Sequence, residues 1–149
     1  TPESRYTLIR LFHAFGGAVA LLTNRSLLET DQMVGLPDLP IAARNGLELR
    51  SLRKSAAAPI YGCPGLPRAA LIDALMGAAP FSGRQPVILS GSPADDSAFE
   101  NARSLAGFGI RIGQAPLQSP YRLQNARAAR ALLGEWASYQ QTWTQRASA

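Results

Sequence analysis

Hydrophobic positions along the chain change period several times, and each change marks an element. Thr1, Pro2 and Glu3 supply a capping hydroxyl, a proline at the first helical position and an acid near the positive end of the helix dipole. Leu8, Ile9, Leu11, Phe12 and Phe15 recur at helical spacing until Gly16 and Gly17 end the helix. Ala18 to Leu22 is short and uniformly apolar, which predicts a strand buried on both faces. Ser26 predicts the cap of a helix over Leu27–Val34. A second buried strand follows over Pro40–Ala43, then a turn at Asn45 and Gly46 and an extended piece over Leu47–Leu49. From Ser51 to Pro67 alanine, proline and glycine dominate and the segment reads as loop. Beyond it the pattern predicts a helix from Pro67 to Ala78, a strand over Pro86–Leu89 and a helix over Ala94–Leu105 stopped by Gly107. Phe108–Ile112 reads as the last strand, with Arg111 turned outward among apolar neighbours. Asn125 then caps a final helix running through Leu132, Leu133, Trp136 and Trp143.

Helices alternating with buried strands predict an α/β fold of three layers, a mostly parallel sheet with helices on both faces. A length of 149 residues suits a single domain spanning 1–149. Ligands of such sheets sit at the carboxyl ends of the strands. The segments Thr23–Arg25, Ala43–Gly46, Ser90–Asp96 and Gly113–Ala115 are therefore expected along one edge.

Charge narrows the chemistry. Fifteen Lys and Arg against ten Asp and Glu give a net charge of +5, as much from a shortage of acids as from an excess of bases. The densest basic group, Arg50, Arg53 and Lys54, has no interleaved aromatics to stack on bases, which argues against nucleic acid and for a solvated loop. No apolar run approaches the length of a membrane span, and no signal or transit pattern is visible. The single cysteine, Cys63, cannot close an internal disulfide, so a cytoplasmic location is the default expectation. His13, the one histidine, is expected on the surface or boundary of the first helix. Trp136, Tyr139 and Trp143, at spacings of three and four, share one helix face. That face either packs the helix onto the sheet or forms a contact surface.

Two blocks of the chain resemble a known family. AAPFSGRQPVILSGSPADDSAFENARSLAGFGIRIG, from Ala78 to Gly113, is similar to the last third of trehalose-6-phosphate phosphatases, and GGAVALLTNRSLLETDQMVGLPDLPIAARNGLELR, from Gly16 to Arg50, resembles an earlier block in the same order. The resemblance implies a haloacid-dehalogenase-like core. It also implies a reaction in which an aspartate attacks phosphate, a second aspartate acts as acid and base, and Mg²⁺ neutralises the phosphoryl charge. Thr23 falls at the phosphate-binding hydroxyl, with Asn24 and Arg25 beside it, and Arg68 falls at the basic residue that contacts phosphate. At the metal motif two acids are replaced by Gly91 and Ser92, leaving Asp95 and Asp96.

Other parts of the family's machinery have no counterpart. The DxDGT nucleophile motif is missing, and a loop over 51–65 stands where the family carries its cap domain. The strand bearing that motif would lie between Ala18–Leu22 and Pro86–Leu89. Either the chain is the remainder of a longer protein or those two strands pair directly. Three readings follow: a non-catalytic relative serving as a binding or scaffolding domain for a protein partner, with no cofactor; a Mg²⁺-dependent sugar-phosphate phosphatase of trehalose biosynthesis whose nucleophile lies upstream of Thr1; and a structural subunit of a larger assembly. Partners are expected to be another protein or a second copy, a phosphorylated sugar remains open, and no membrane is involved.

Overall fold

The computed structural model describes residues 1–50, 60–61, 67–116 and 119–147. The first helix, α1 (Pro2–Ala14), is capped by the Thr1 hydroxyl, which accepts the Ser4 amide at 3.2 Å. After β1 (Leu21–Leu22) comes α2 (Leu27–Val34). Its N-terminus is a reciprocal cap: the Glu29 amide donates to Ser26 Oγ at 3.2 Å and the Ser26 amide donates to Glu29 Oε2 at 2.9 Å. Gly35 ends this helix in the left-handed conformation, φ 63°. The Ser26 hydroxyl, and then its amide, hold the Glu29 carboxyl below the ordinary carboxylate range.

Ser26→Ala is expected to cost about 1 kcal/mol in urea denaturation at neutral pH. Because the folded-state pKa of Glu29 is lowered, its share of the cap is complete above its unfolded value of about 4.3 and is lost as pH falls through the lower folded value. The difference between wild type and variant should narrow over that acid range and not vanish, because the bond from the Glu29 amide to Ser26 Oγ does not titrate.

The chain continues through β2 (Ile41–Ala43), a three-residue turn at Arg44–Gly46, β3 (Glu48–Arg50), β4 (Ile60–Tyr61), α3 (Arg68–Met76) and β5 (Val87–Ser90). A short turn at Pro93–Asp95 leads into α4 (Asp96–Ser104), β6 (Phe108–Ile112), β7 (Tyr121–Leu123) and α5 (Ala126–Ala147). Asn125 caps α5 as expected, its side chain accepting the Ala128 amide at 3.0 Å. The architecture is α/β, with a parallel three-stranded sheet and helices packed around it.

The expectation of one sheet is corrected. The strands form two, in the orders β1-β2-β3-β4 and β5-β6-β7. The second is parallel throughout. In the first, β1 and β2 are parallel, but β2 pairs antiparallel with β3, and β3 with β4. The link Arg44–Gly46 is the physical reason, since a connection that short can join only antiparallel neighbours. Ile60–Tyr61, inside the segment read as loop, supplies β4. The other residues between 51 and 66, including Arg53, Lys54 and Cys63, lie outside the described residues.

Direct pairing of the strand at Ala18–Leu22 with that at Pro86–Leu89 is also corrected: β1 bonds to β2 and β5 to β6, not to each other. With one edge uncovered, Leu21 and Leu22 are half-buried, not buried on both faces as expected. Phe108–Ile112 is not the last strand. β7 lies parallel to β6, held by the Ser119 hydroxyl on the Gly109 carbonyl and by Arg122 on the carbonyls of Gly113 and Ala115.

Two arginines depart from their expected surroundings. Arg111 is not outward: it has 0% exposure, with its guanidinium 4.7 Å from the centre of the Phe99 ring. Arg50 is not a solvated loop residue. It pairs with Asp31 and donates to the carbonyls of Leu36 at 2.8 Å and Leu39 at 2.9 Å, fastening the end of α2 to β3.

Leu27, Val34, Leu39, Ile41 and Ala43 form a buried cluster under α2, with Leu8, Phe12, Val19, Leu21 and Leu36 packed on it. In the second half of the chain Leu71, Ile72, Ala98, Phe99, Ala102 and Ile110 are buried. No helix of the described residues is long and apolar enough to cross a membrane.

Candidate functional site

The carboxyl ends of β1, β2 and β5 converge, as the strand pattern predicts, and Arg68 joins them. At the first residue of α3, its guanidinium lies 3.5 Å from Asn45 Oδ1 on one side and 2.6 Å from Asp95 Oδ1 on the other. Asn45 is in turn bonded to the end of β1, its amide donating to the Thr23 carbonyl at 3.2 Å. Arg44 and Asn45 both adopt positive φ, 45° and 55°, a conformation that asparagine tolerates better than arginine. The turn sends Arg44 back onto Glu48, Nε to Oε1 at 2.9 Å.

The anion-binding half of this mouth is filled by the chain itself. A helix N-terminus offers free amides and a positive dipole end to a phosphate. At the start of α2 the Ser26, Leu27 and Glu29 amides are taken: Ser26 and Glu29 cap each other, and the Leu27 amide donates to Glu48 Oε2 at 2.6 Å. The Thr23 hydroxyl accepts the Arg25 amide at 3.1 Å. Asn24 and the Arg25 side chain are exposed beside it.

The carboxylates of the other half each face a guanidinium. Asp95, 5% exposed, accepts the Ser90 hydroxyl through Oδ2, while Oδ1 stands beside Arg68. That contact is close enough for charge pairing but is not aligned as a hydrogen bond, leaving Oδ1 buried without a donor. Asp96, the first residue of α4, is paired with Arg111, which also donates to the Ser92 carbonyl. These residues do not fit Mg²⁺. A hard dication needs several free oxygen ligands, and here two acids are each neutralised by an arginine, with Gly91 and Ser92 as the other motif residues. Among the described residues no group of three His, Cys, Asp or Glu side chains could hold a metal.

Thr23, Arg68 and Asp95 are thus brought to one mouth, whereas Trp136 and Tyr139 are not part of it. They lie on α5, which packs chiefly along α1 and only lightly against β7, with Arg10 donating to the Ser138 hydroxyl at 2.8 Å. Trp136 is half-buried and Tyr139 is 70% exposed. Trp143 continues the same helix, and its side chain lies outside what the structure describes. His13 is exposed on α1, as expected. A shallow groove of about 450 Å³, lined by Thr1, Pro2, Arg5, Tyr6, Ile9 and Met33, lies toward the end of α2 remote from Ser26.

No family model matches the chain, and no curated protein matches it.

Asn45 and Ser90 fall in segments expected on this edge, whereas Glu48 was not singled out in the sequence and Arg111 was read as outward. The four-residue spacing of Arg44 and Glu48 was a usable signal for one pair. Nothing in the pattern Phe-Gly-Ile-Arg-Ile marks its arginine as buried.

Proposed function

We propose that the chain is a non-catalytic relative of trehalose-6-phosphate phosphatases that acts as a binding or scaffolding domain for a protein partner. One observation carries this reading: where the resemblance puts phosphate and metal contacts, the charged groups are already paired within the chain. Glu29 and Glu48 sit on the amides a phosphate would use, and Arg68 and Arg111 sit on the acids a cation would use. A pocket arranged for turnover keeps such groups open to the substrate, because binding energy spent on internal partners is unavailable to a transition state.

The experiment is a phosphatase assay with added Mg²⁺ on trehalose 6-phosphate and on an aryl phosphate. No turnover above the uncatalysed rate is expected. Turnover that disappears in Asp95→Asn would overturn the reading. The alternative of a Mg²⁺-dependent phosphatase with its nucleophile upstream of Thr1, which draws on the convergence of Thr23, Arg68 and Asp95 at one mouth, predicts turnover only from a chain that includes that nucleophile.

A further inference from the structure

We propose that the groove between α1 and the end of α2 is a docking site for an acidic amphipathic helix of a protein partner. The proposal rests on the binding-domain reading above and names the surface and the chemistry of the partner.

The groove joins an apolar floor to a cation. Pro2, Tyr6 and Ile9 recur at spacings of four and three, which places them on one face of α1, and Met33 meets them from the last turn of α2. Tyr6 is 63% exposed and Met33 58% exposed. Single apolar side chains scattered over a surface need no explanation, but here two of the largest exposed ones line the same groove. Leu28, exposed on α2 outside the groove, is one of the scattered kind.

Charge fixes the sign of the partner. One lining residue is cationic and none is acidic. The Arg5 guanidinium rests on the end of α2, where a Cβ built on Gly35 would stand 2.3 Å from it. The negative end of a helix dipole carries about half an elementary charge, so it offsets a full positive charge only in part. Asp31, in the same last turn of α2, is held by Arg50, and among the described residues no acid pairs with Arg5. Arg10, over the Tyr6 ring at 5.7 Å, adds a second cation on the far flank. The planar fork of Arg5 therefore has donors to offer a carboxylate brought by another chain.

The walls fix the partner's backbone. Both are helices, whose interior amides and carbonyls are bonded along their own axes, so the groove presents side chains and no strand edge. A partner docking there has to satisfy its own backbone, which a helix does. Apolar residues one turn apart on that helix would lie between Tyr6 and Met33, whose unbranched thioether adapts to their shape. An aspartate or glutamate on the adjoining turn would reach Arg5.

The whole chain is titrated with a synthetic helical peptide bearing two leucines one turn apart, flanked by glutamates, and with the same peptide in which lysine replaces every glutamate. The readout is the methyl resonances of the protein by NMR. Those of Met33 and Ile9 are expected to shift to saturation with the acidic peptide, while those of Leu28 stay in place. Arg5→Glu should weaken the acidic peptide by about tenfold or more and strengthen the lysine peptide, a reversal of preference that loss of packing alone does not produce. Leu28→Gln should leave both affinities unchanged. Unmoved Met33 and Ile9 methyls, equal binding of the two peptides, or an unchanged preference in Arg5→Glu overturns the proposal. Methyl shifts that grow with protein concentration in the absence of peptide would assign the groove to a second copy, and displacement of the peptide by phosphatidylserine vesicles would assign it to a membrane surface; either overturns it. Phosphatase turnover would sink the non-catalytic reading without moving these methyls, so the two failures are told apart.

Discussion

Arg111→Ala is expected to destabilise the protein by about 3 kcal/mol, the low end of the range for removing one partner of a buried ion pair. The low end applies because Asp96, left behind, keeps about a third of its side chain in solvent and can rehydrate. Three losses combine: the charge pair with Asp96, the bond to the Ser92 carbonyl and the contact of the guanidinium with the Phe99 ring. The matched control removes both charges and keeps volume. Arg111→Met combined with Asp96→Asn should lie within about 1 kcal/mol of wild type, because a desolvated ion pair rarely outperforms well-packed neutral side chains. Urea denaturation of both variants checks this. A cost below about 0.5 kcal/mol for Arg111→Ala is the value of an exposed surface position and would contradict the burial.

Gly107→Ala should cost about 2 to 3 kcal/mol, for a reason that involves no unusual backbone angle. An added Cβ would stand 1.9 Å from the Pro86 carbonyl oxygen, and that oxygen accepts the Phe108 amide, the first rung between β5 and β6. The colliding atom is backbone, so relief requires the strands to move apart at their start. Gly109→Ala provides the comparison. Its Cβ would meet the ring of the buried Phe99 at 2.4 Å, so its cost falls on core packing and not on the ladder between β5 and β6. Thermal unfolding of the two variants, with exchange rates of the β5 and β6 amides, separates a register defect from a packing defect.

The contrast between these residues explains how far the sequence could be read. Caps were legible because they are local: Thr1, Ser26 and Asn125 act on amides three residues away. Thr23 and Asp95 were legible together because strand ends gather loops on one edge, whereas Arg68, at the start of α3, was singled out only by the resemblance. Arg111 was not, since alternation in a strand assigns polar residues to a wet face, and here α4 brings Phe99 and Asp96 over that face. β7 was missed because its three residues carry little pattern and depend on Ser119 and Arg122 to hold them beside β6. The turn at Asn45 and Gly46 was read, but not that it returns β3 antiparallel onto β2 through a left-handed arginine, which no propensity suggests. Glu48 reaches Leu27 only through that turn.

The doubly satisfied N-terminus of α2 has a consequence for any anion approaching the mouth. Glu29 and Glu48 are tethered competitors, and a tethered group acts at an effective concentration of about millimolar or higher regardless of how dilute the protein is. A phosphorylated metabolite would have to displace a ligand that never diffuses away. Dissolved phosphate would therefore meet at this helix end not an open cradle but two carboxylates that the chain itself carries.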